Sequence, residues 1–230
     1  MFIEKIRKIV VFNRYISFTV FKEHLFIERI ADEIEKSAKI LDAGAGQCPY
    51  KKFFSEAEYV SQDLCSAENY PDWKFDQINL KSDICNLPAE DGYFDYIICT
   101  SVLEHVKNPF AAFAELSRVL RPGGKLFLIV PLTIGEHEDY FRFTQYGLKV
   151  LAGNYGFDMI HIEKQGGLFI FLAESLSGLP HYYIKSKKIE KICYLVLYPI
   201  NFLISFVCYY LNKIDKTAIA VNYECIFEKK

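Results

Sequence analysis

The sequence predicts an α/β domain, a largely parallel sheet with crossover helices on both faces. Three observations predict it. From about residue 38 onward, short apolar runs alternate with helical stretches. A glycine-bearing turn, Asp42-Ala43-Gly44-Ala45-Gly46, closes the first run and an acid, Asp63, closes the second, as at the ligand edge of an open parallel sheet. The chain's 230 residues, 51% hydrophobic and 24% charged, can bury one sizeable core, which excludes disordered and collagen-like classes.

At the N-terminus, Glu4, Lys5, Arg7, Lys8, Arg14 and Lys22 break up the apolar stretches and no small-residue cleavage site follows, so the segment makes a poor signal peptide. Ile3, Ile6 and Val10 fall at helical spacing instead. Such a basic, aromatic, amphipathic helix packs on the domain or lies on a membrane surface, and both readings stay open. AKILDAG (38–44), EYVSQD (58–63), FDYIICTS (94–101) and KLFLIV (125–130) read as buried strands, with a weaker one at FDQINL (75–80). PFAAFAELSRVL (109–120) reads as an amphipathic helix stopped by Arg121-Pro122-Gly123-Gly124, and a second helix covers 146–151. Strands at FDMIHIEK (157–164) and AIAVNYECIFE (218–228) flank a hydrophobic stretch at 192–211. With no linker or repeat, a single domain over 1–230 is expected: a helical cap at 1–35, a ligand-binding core at 36–165, and a hydrophobic helical segment with the last strand at 166–230.

Charge narrows the partners. Twenty-seven Lys and Arg against 29 Asp and Glu give a net charge of −2, so no global field attracts a polyanion and nucleic acid is not expected as a partner. The seven cysteines (48, 65, 85, 99, 193, 208, 225) form no C-x-x-C pair, which leaves no legible zinc cluster or disulfide framework and suits a reducing cytosol.

The two glycines of the first turn let backbone approach a ligand, and Asp63, at the second strand's end, can accept both hydroxyls of an adenosine ribose. A dinucleotide loop would want a third glycine at 49, where Gln47-Cys48-Pro49 supplies proline. An NAD-dependent oxidoreductase is therefore disfavoured, and the ligand is expected to be a nucleoside without a diphosphate.

Further segments extend the pattern. ILDAGAGQCPY, Asp63, Asp83-Ile84 with Leu87-Pro88, EDGYFDYIICTSVLEHV (90–106) and RVLRPGGKLFLIVP (118–131) occur in an order that resembles the class I S-adenosylmethionine-dependent methyltransferases, type-11 family, over roughly residues 38–165. EHEDYFRFTQYGLKVLAGNYGF (136–157) and NYECIFEKK are similar to its later elements. The resemblance implies a Rossmann-like, doubly wound seven-stranded sheet of order 3-2-1-4-5-7-6 with the seventh strand antiparallel. It implies S-adenosylmethionine as cofactor: Gly44 and Gly46 under the ligand, Asp42 orienting the loop and the ammonium, Asp63 on the ribose, Asp83 and Ile84 at the adenine, and Thr100 or Ser101 offering a carbonyl to the ammonium. Each acid has a plainer reading, Asp42 as a turn cap, Asp63 as a solvated carboxylate, Asp83 as a turn acid before Cys85-Asn86.

Methyl transfer needs little acid–base machinery, because a sulfonium is already an activated donor. His137, in the segment after the fifth strand, is the first candidate for a hydroxyl base and His105 the second, each with an ordinary structural reading beside it. Asp139 and Arg142, at i and i+3, are expected to pair on a helical turn. The Asn/Asp-Pro-Pro-aromatic tetrapeptide of nucleobase-methylating enzymes is missing near Thr100–Leu103, and Glu104 alone makes no metal-binding carboxylate cluster, so no metal is expected.

Residues 192–211 run uncharged between Lys185, Lys187, Lys188, Lys191 and Lys213, Lys216, long enough to span a bilayer. Spanning would carry the last strand away from its sheet, which leaves a helix buried against the sheet or one resting in the membrane interface. The expected function is methylation of an oxygen on a small molecule, glycan or lipid-linked acceptor, in the cytoplasm or peripherally at the inner membrane face through 1–30 and 192–211. A non-catalytic cofactor-binding or membrane-scaffold protein is the other class.

Overall fold

A computed structural model describes residues 17–66, 72–133 and 138–230. The expected helix around Ile3, Ile6 and Val10, and His137, lie outside the described residues.

Seven strands form one sheet in the order β3-β2-β1-β4-β5-β7-β6, with β7 antiparallel, as the resemblance implies. The strands are β1 (Lys39–Ala43), β2 (Glu58–Asp63), β3 (Leu80–Lys81), β4 (Phe94–Thr100), β5 (Leu120–Pro131), β6 (Phe157–Gln165) and β7 (Asn222–Lys229). Five helices accompany them: α1 (Phe18–Glu33), α2 (Pro109–Val119), α3 (Gln145–Asn154), α4 (Leu168–Tyr183) and α5 (Lys187–Leu211). β1 sits between β2 and β4 in parallel register, with Asp42 opposite both Ser61 and Ile98, so the exits of three strands share one edge.

Two expectations are corrected. FDQINL contributes only its last residue to β3, because Asn79 bonds back to β2 instead of continuing the ladder: its side-chain oxygen accepts from the Ser61 amide at 3.0 Å and from Ser61 Oγ at 2.8 Å. Arg121-Pro122-Gly123-Gly124 ends α2 but is no free turn. The strand already begins at Leu120, opposite Phe94, and the ladder resumes only at Tyr96–Lys125, so these residues form an irregularity within β5. Gly123 takes a φ of +70° there, and a Cβ on Gly124 would lie 2.8 Å from the Asp95 carbonyl oxygen.

The chain gathers into two compact units. The larger takes Phe26–Leu132, the stretch reaching Glu163, and Tyr223–Lys230, and so holds nearly all of the sheet. On one side Phe26, Ile27 and Ile30 from the end of α1 bury against Ile40, Ile98, Phe127 and Ile129. Elsewhere in the unit, α2 buries Ala112, Phe113, Leu116 and Val119 along a stripe of helical spacing. Its start is fixed by Asn108, whose side chain accepts from the Ala111 amide at 3.1 Å, with Pro109 in the first turn. Asp95 ties the sheet's other edge, accepting from the Lys39 amide at 2.8 Å and Arg121 Nε at 2.6 Å.

The smaller unit is built mainly from Lys164–Asn222 and the start of α1. Phe18 packs with Ile170 and Val221, and the Glu174 carboxylate accepts from both the amide (3.2 Å) and the hydroxyl (3.0 Å) of Thr19. Asp215 accepts from the Leu168 amide at 2.8 Å and so caps α4 from a distant point in the chain.

Phe113 is fully buried and meets Phe157 edge-on at 5.7 Å and Phe227 at 6.0 Å between ring centroids. Phe113→Ala is expected to lower stability by about 3–5 kcal/mol through the cavity it leaves, read as a fall in the urea midpoint at unchanged slope.

Candidate functional site

The first turn is held by its neighbour strand. Gly44 and Ala45 donate their amides to the Gln62 carbonyl at 2.9 and 2.8 Å, and Gly46 donates to Asp63 Oδ2 at 3.0 Å. Gly44 and Gly46 take φ values of +77° and +53°, the left-handed region that glycine enters without a Cβ penalty. A Cβ on Gly44 would lie 2.3 Å from Val102 Cγ2, and one on Gly46 would lie 2.7 Å from the ring of Trp73. Thus the exit of β4 and an aromatic from the segment before β3 both press on the turn.

Asp42 is buried at the end of β1 and accepts a hydrogen bond from the Tyr59 hydroxyl. Burial first, then the Asp42 charge, push the Tyr59 hydroxyl above its usual range, so it remains a donor. Asp63 is half-exposed, with Oδ1 accepting from the Cys65 amide at 2.7 Å while Oδ2 holds Gly46. The carboxylate therefore shapes the turn. Asp83 accepts from the Cys85 amide at 2.8 Å and its carbonyl from the Asn86 amide, the geometry of a turn acid, with Ile84 buried beside it. Ser82 joins this segment to β2, its amide donating to the Asp63 carbonyl at 3.1 Å and its carbonyl accepting from Gln62 Nε2 at 2.6 Å. At the exit of β4, Thr100 is half-buried and Ser101 takes a φ of +54° while its amide donates to the Ile129 carbonyl at 2.9 Å. Asp42, Gly44, Gly46, Asp63, Asp83, Ile84, Thr100 and Ser101 accordingly occupy one edge of the sheet.

The loops after β4 and β5 meet beside this edge. The Glu104 carbonyl accepts from the amides of Tyr140 (2.7 Å) and Phe141 (3.3 Å), which docks the later loop on the earlier turn. His105 Nδ1 lies 3.3 Å from the Glu138 carbonyl and 3.5 Å from Asp139 Oδ1, and its Nε2 lies 3.8 Å from Oε1 of the buried Glu104. Asp139 and Arg142 pair as expected, but in an irregular segment, not on a helical turn, because the loop is pinned to Glu104 before α3 starts. Glu104, His105 and Asp139 bring possible metal-ligand atoms within 4.8 Å of one another, a grouping not expected from Glu104 alone. Arg142 already supplies the cation beside Asp139.

Several participants were not expected. Gln62, buried, also offers its side-chain oxygen to the Gly44 amide at 3.3 Å, and a polar residue one step before the strand-end acid was the available signal. Trp73 is the chain's single tryptophan, a signal in itself. Four non-glycine residues with positive φ, Cys48, Cys65, Ser101 and Glu138, fall in the loops after β1, β2, β4 and β5. Such strain gathers at ligand sites, and no sequence pattern announces it.

Residues 41–128 match the family described as Methyltransferase domain, type 11. An uncharacterized protein of Methanocaldococcus jannaschii is 30% identical over 125 residues, covering 52% of this chain and 55% of that one. A ubiquinone/menaquinone biosynthesis C-methyltransferase of Shewanella pealeana is 36% identical over 95 residues, covering 41% of this chain and 36% of that one. The chain thus spans about half or less of these relatives' length. Among solved structures, a Haemonchus contortus phosphoethanolamine N-methyltransferase 2 in complex with S-adenosyl-L-methionine shares the fold, with a TM-score of 0.54 at 17% identity over 91% of this chain and 52% of that one.

Gly44→Ala is expected to destabilise by about 2–4 kcal/mol, from a left-handed backbone plus overpacking against Val102. Adding Val102→Ala removes the overpacking, so the double variant is expected to unfold at higher urea than Gly44→Ala alone.

Proposed function

The chain carries a methyltransferase domain of the class I, type-11 family, whose cofactor is S-adenosylmethionine, and from that premise we propose that it methylates an oxygen on a small molecule, glycan or lipid-linked acceptor. The donor set supports this cofactor over a dinucleotide. Residues 42–50 carry no cation, and three carboxylates, Asp42, Asp63 and Asp83, stand at the same edge, which suits a ligand with a positive sulfonium and an ammonium. The connection from β1 to β2 contains only the three-residue 3₁₀ helix Lys51–Phe53, so no α-helix N-terminus is presented to a diphosphate.

When bound, the cofactor supplies a methyl group already activated by its sulfonium. What the chain must add is position and a place for the acceptor's proton. The turn at Gly44–Gly46 brings backbone under the ligand, Asp63 receives the ribose hydroxyls, and Asp83 with Ile84 receives the adenine edge. Thr100 or Ser101 turns a carbonyl toward the ammonium.

The observation that carries the oxygen-acceptor reading is the placement of His105. Its Nδ1 side faces Asp139 and the Glu138 carbonyl, which would fix the ring and its tautomer. Nε2, the nitrogen left to take a hydroxyl's proton, lies 3.8 Å from Glu104 Oε1. His105 serves in this reading as the base, with His137 the other candidate. The relative from Shewanella pealeana is named as a C-methyltransferase of ubiquinone and menaquinone biosynthesis, which supports a small-molecule acceptor and leaves the methylated atom to the labelling experiment. The site of action is then the cytoplasm, at the inner membrane face.

Calorimetry on the purified chain is expected to show binding of S-adenosylmethionine and its demethylated product and none of NAD. Asp63→Ala should weaken cofactor binding by about 1–3 kcal/mol. NAD binding with no response to either methyl cofactor would overturn the reading.

With labelled methyl donor and cell extract, mass analysis of the labelled product names the acceptor and the atom. His105→Ala is expected to slow that turnover by about a hundredfold with cofactor affinity unchanged. Cofactor binding with no labelled product in any extract would leave a binding protein, not an enzyme.

A further inference from the structure

We propose that the helical hairpin α4–α5 is a membrane-docking element that lies in the interface of an anionic lipid bilayer. The proposal does not depend on the cofactor chemistry.

α5 is long and apolar enough to cross a membrane, yet its apolar run is not buried. Its exposed residues Ile192, Leu195, Val196, Leu203, Phe206 and Val207 recur at helical spacing, so they form one stripe, with Leu195 77% and Val196 66% exposed. α4, which precedes it, carries a second exposed stripe at Leu172, Leu176 and Leu179. Soluble surfaces rarely leave so much contiguous apolar side chain in water.

Charge and aromatic placement identify the occupant as lipid. Lys185, Lys187, Lys188 and Lys191 stand at the hairpin turn and Lys213 and Lys216 at the far end of α5, with no charge between Ile192 and Leu211. The single acid of α5, Glu190, is matched by Lys187 at 3.1 Å and His181 at 2.9 Å, so no net negative charge opposes a headgroup layer. Tyrosines accompany the lysines at both ends: Tyr182 and Tyr183 are exposed before the turn, and Lys213 lies 4.8 Å from the ring centroid of Tyr210. Tyrosine beside lysine at the limits of an apolar run is the pattern of a membrane–water boundary, whereas lysine is depleted at protein–protein interfaces.

The topology sets the orientation. The hairpin leaves from β6 and returns to β7, neighbours in one sheet, so its turn would have to enter the bilayer if α5 stood upright. That would drive the turn lysines into hydrocarbon. Moreover, α4 is tied within its own unit by Glu174 on Thr19 and by Ile170 on Phe18. Lying flat, the stripe enters the acyl boundary while lysines at both ends reach the phosphates.

Flotation of the full chain with vesicles of phosphatidylcholine and phosphatidylserine tests this. The chain is expected to float at low salt, to float less as salt rises, and to stay soluble with phosphatidylcholine alone. Lys185→Gln, Lys188→Gln and Lys191→Gln should each cost about fivefold in partitioning. Leu195→Ser with Leu203→Ser should abolish flotation without lowering the melting temperature, since both side chains are already exposed. A chain that stays soluble on anionic vesicles overturns the proposal. So does one that runs as a dimer split by the serine variant without binding vesicles, which would place a second copy on the stripe. Resistance to alkaline carbonate would overturn the flat orientation in favour of spanning.

Discussion

The contact between Gly44 and Val102 is the constraint on which the site's edge depends. β1 and β4 are adjacent and parallel, so their exits must pass one another at the same end of the sheet. They do so with clearance for a hydrogen and not for a methyl group. From that approach follow the positive φ of the turn, the reach of its amides to Gln62, and the path of β4 into Ser101 and on to Glu104 and His105. The loop after β5 then finds its place from the Glu104 carbonyl. One missing Cβ lets three loops meet at one edge of the sheet.

The parts of this architecture that could be read from residues alone are those where one physical requirement dominates. β1, β2 and β4 are short apolar runs ended by turn chemistry, and the structure returns their limits to within a residue or two. α2 announces itself by its cap, its proline and its stripe. Reading failed where a side chain outcompeted the backbone, as Asn79 and Ser61 do at β3, or where a strand tolerated an irregularity, as at Gly123. Of the candidate site residues, Asp42, Gly44, Gly46 and Asp63 could be located from the sequence because each lies at or just past the end of a strand. The grouping of Glu104, His105 and Asp139 was not, since it arises from two loops more than thirty residues apart that meet through backbone hydrogen bonds.

Asp63 illustrates how one carboxylate fixes two segments of backbone. Held by the amides of Gly46 and Cys65, it is oriented without any ligand. The cost of ordering is thereby borne by folding and not by binding. Gln62 does the same for the other side of the turn, bridging Gly44 and Ser82 so that the segments after β1 and β3 keep a fixed spacing.

The bond between Thr19 and Glu174 also has a consequence in time. The two residues are 155 positions apart in the chain, and Phe18 waits for a partner, Val221, that lies further still. At about 5–20 residues per second, a ribosome takes roughly 8–30 s to deliver Glu174 after Thr19. During that interval the first turns of α1 are made but have no native surface to settle on. The nascent chain therefore shows apolar side chains early and covers them late, and a holding chaperone would find its opportunity in that window.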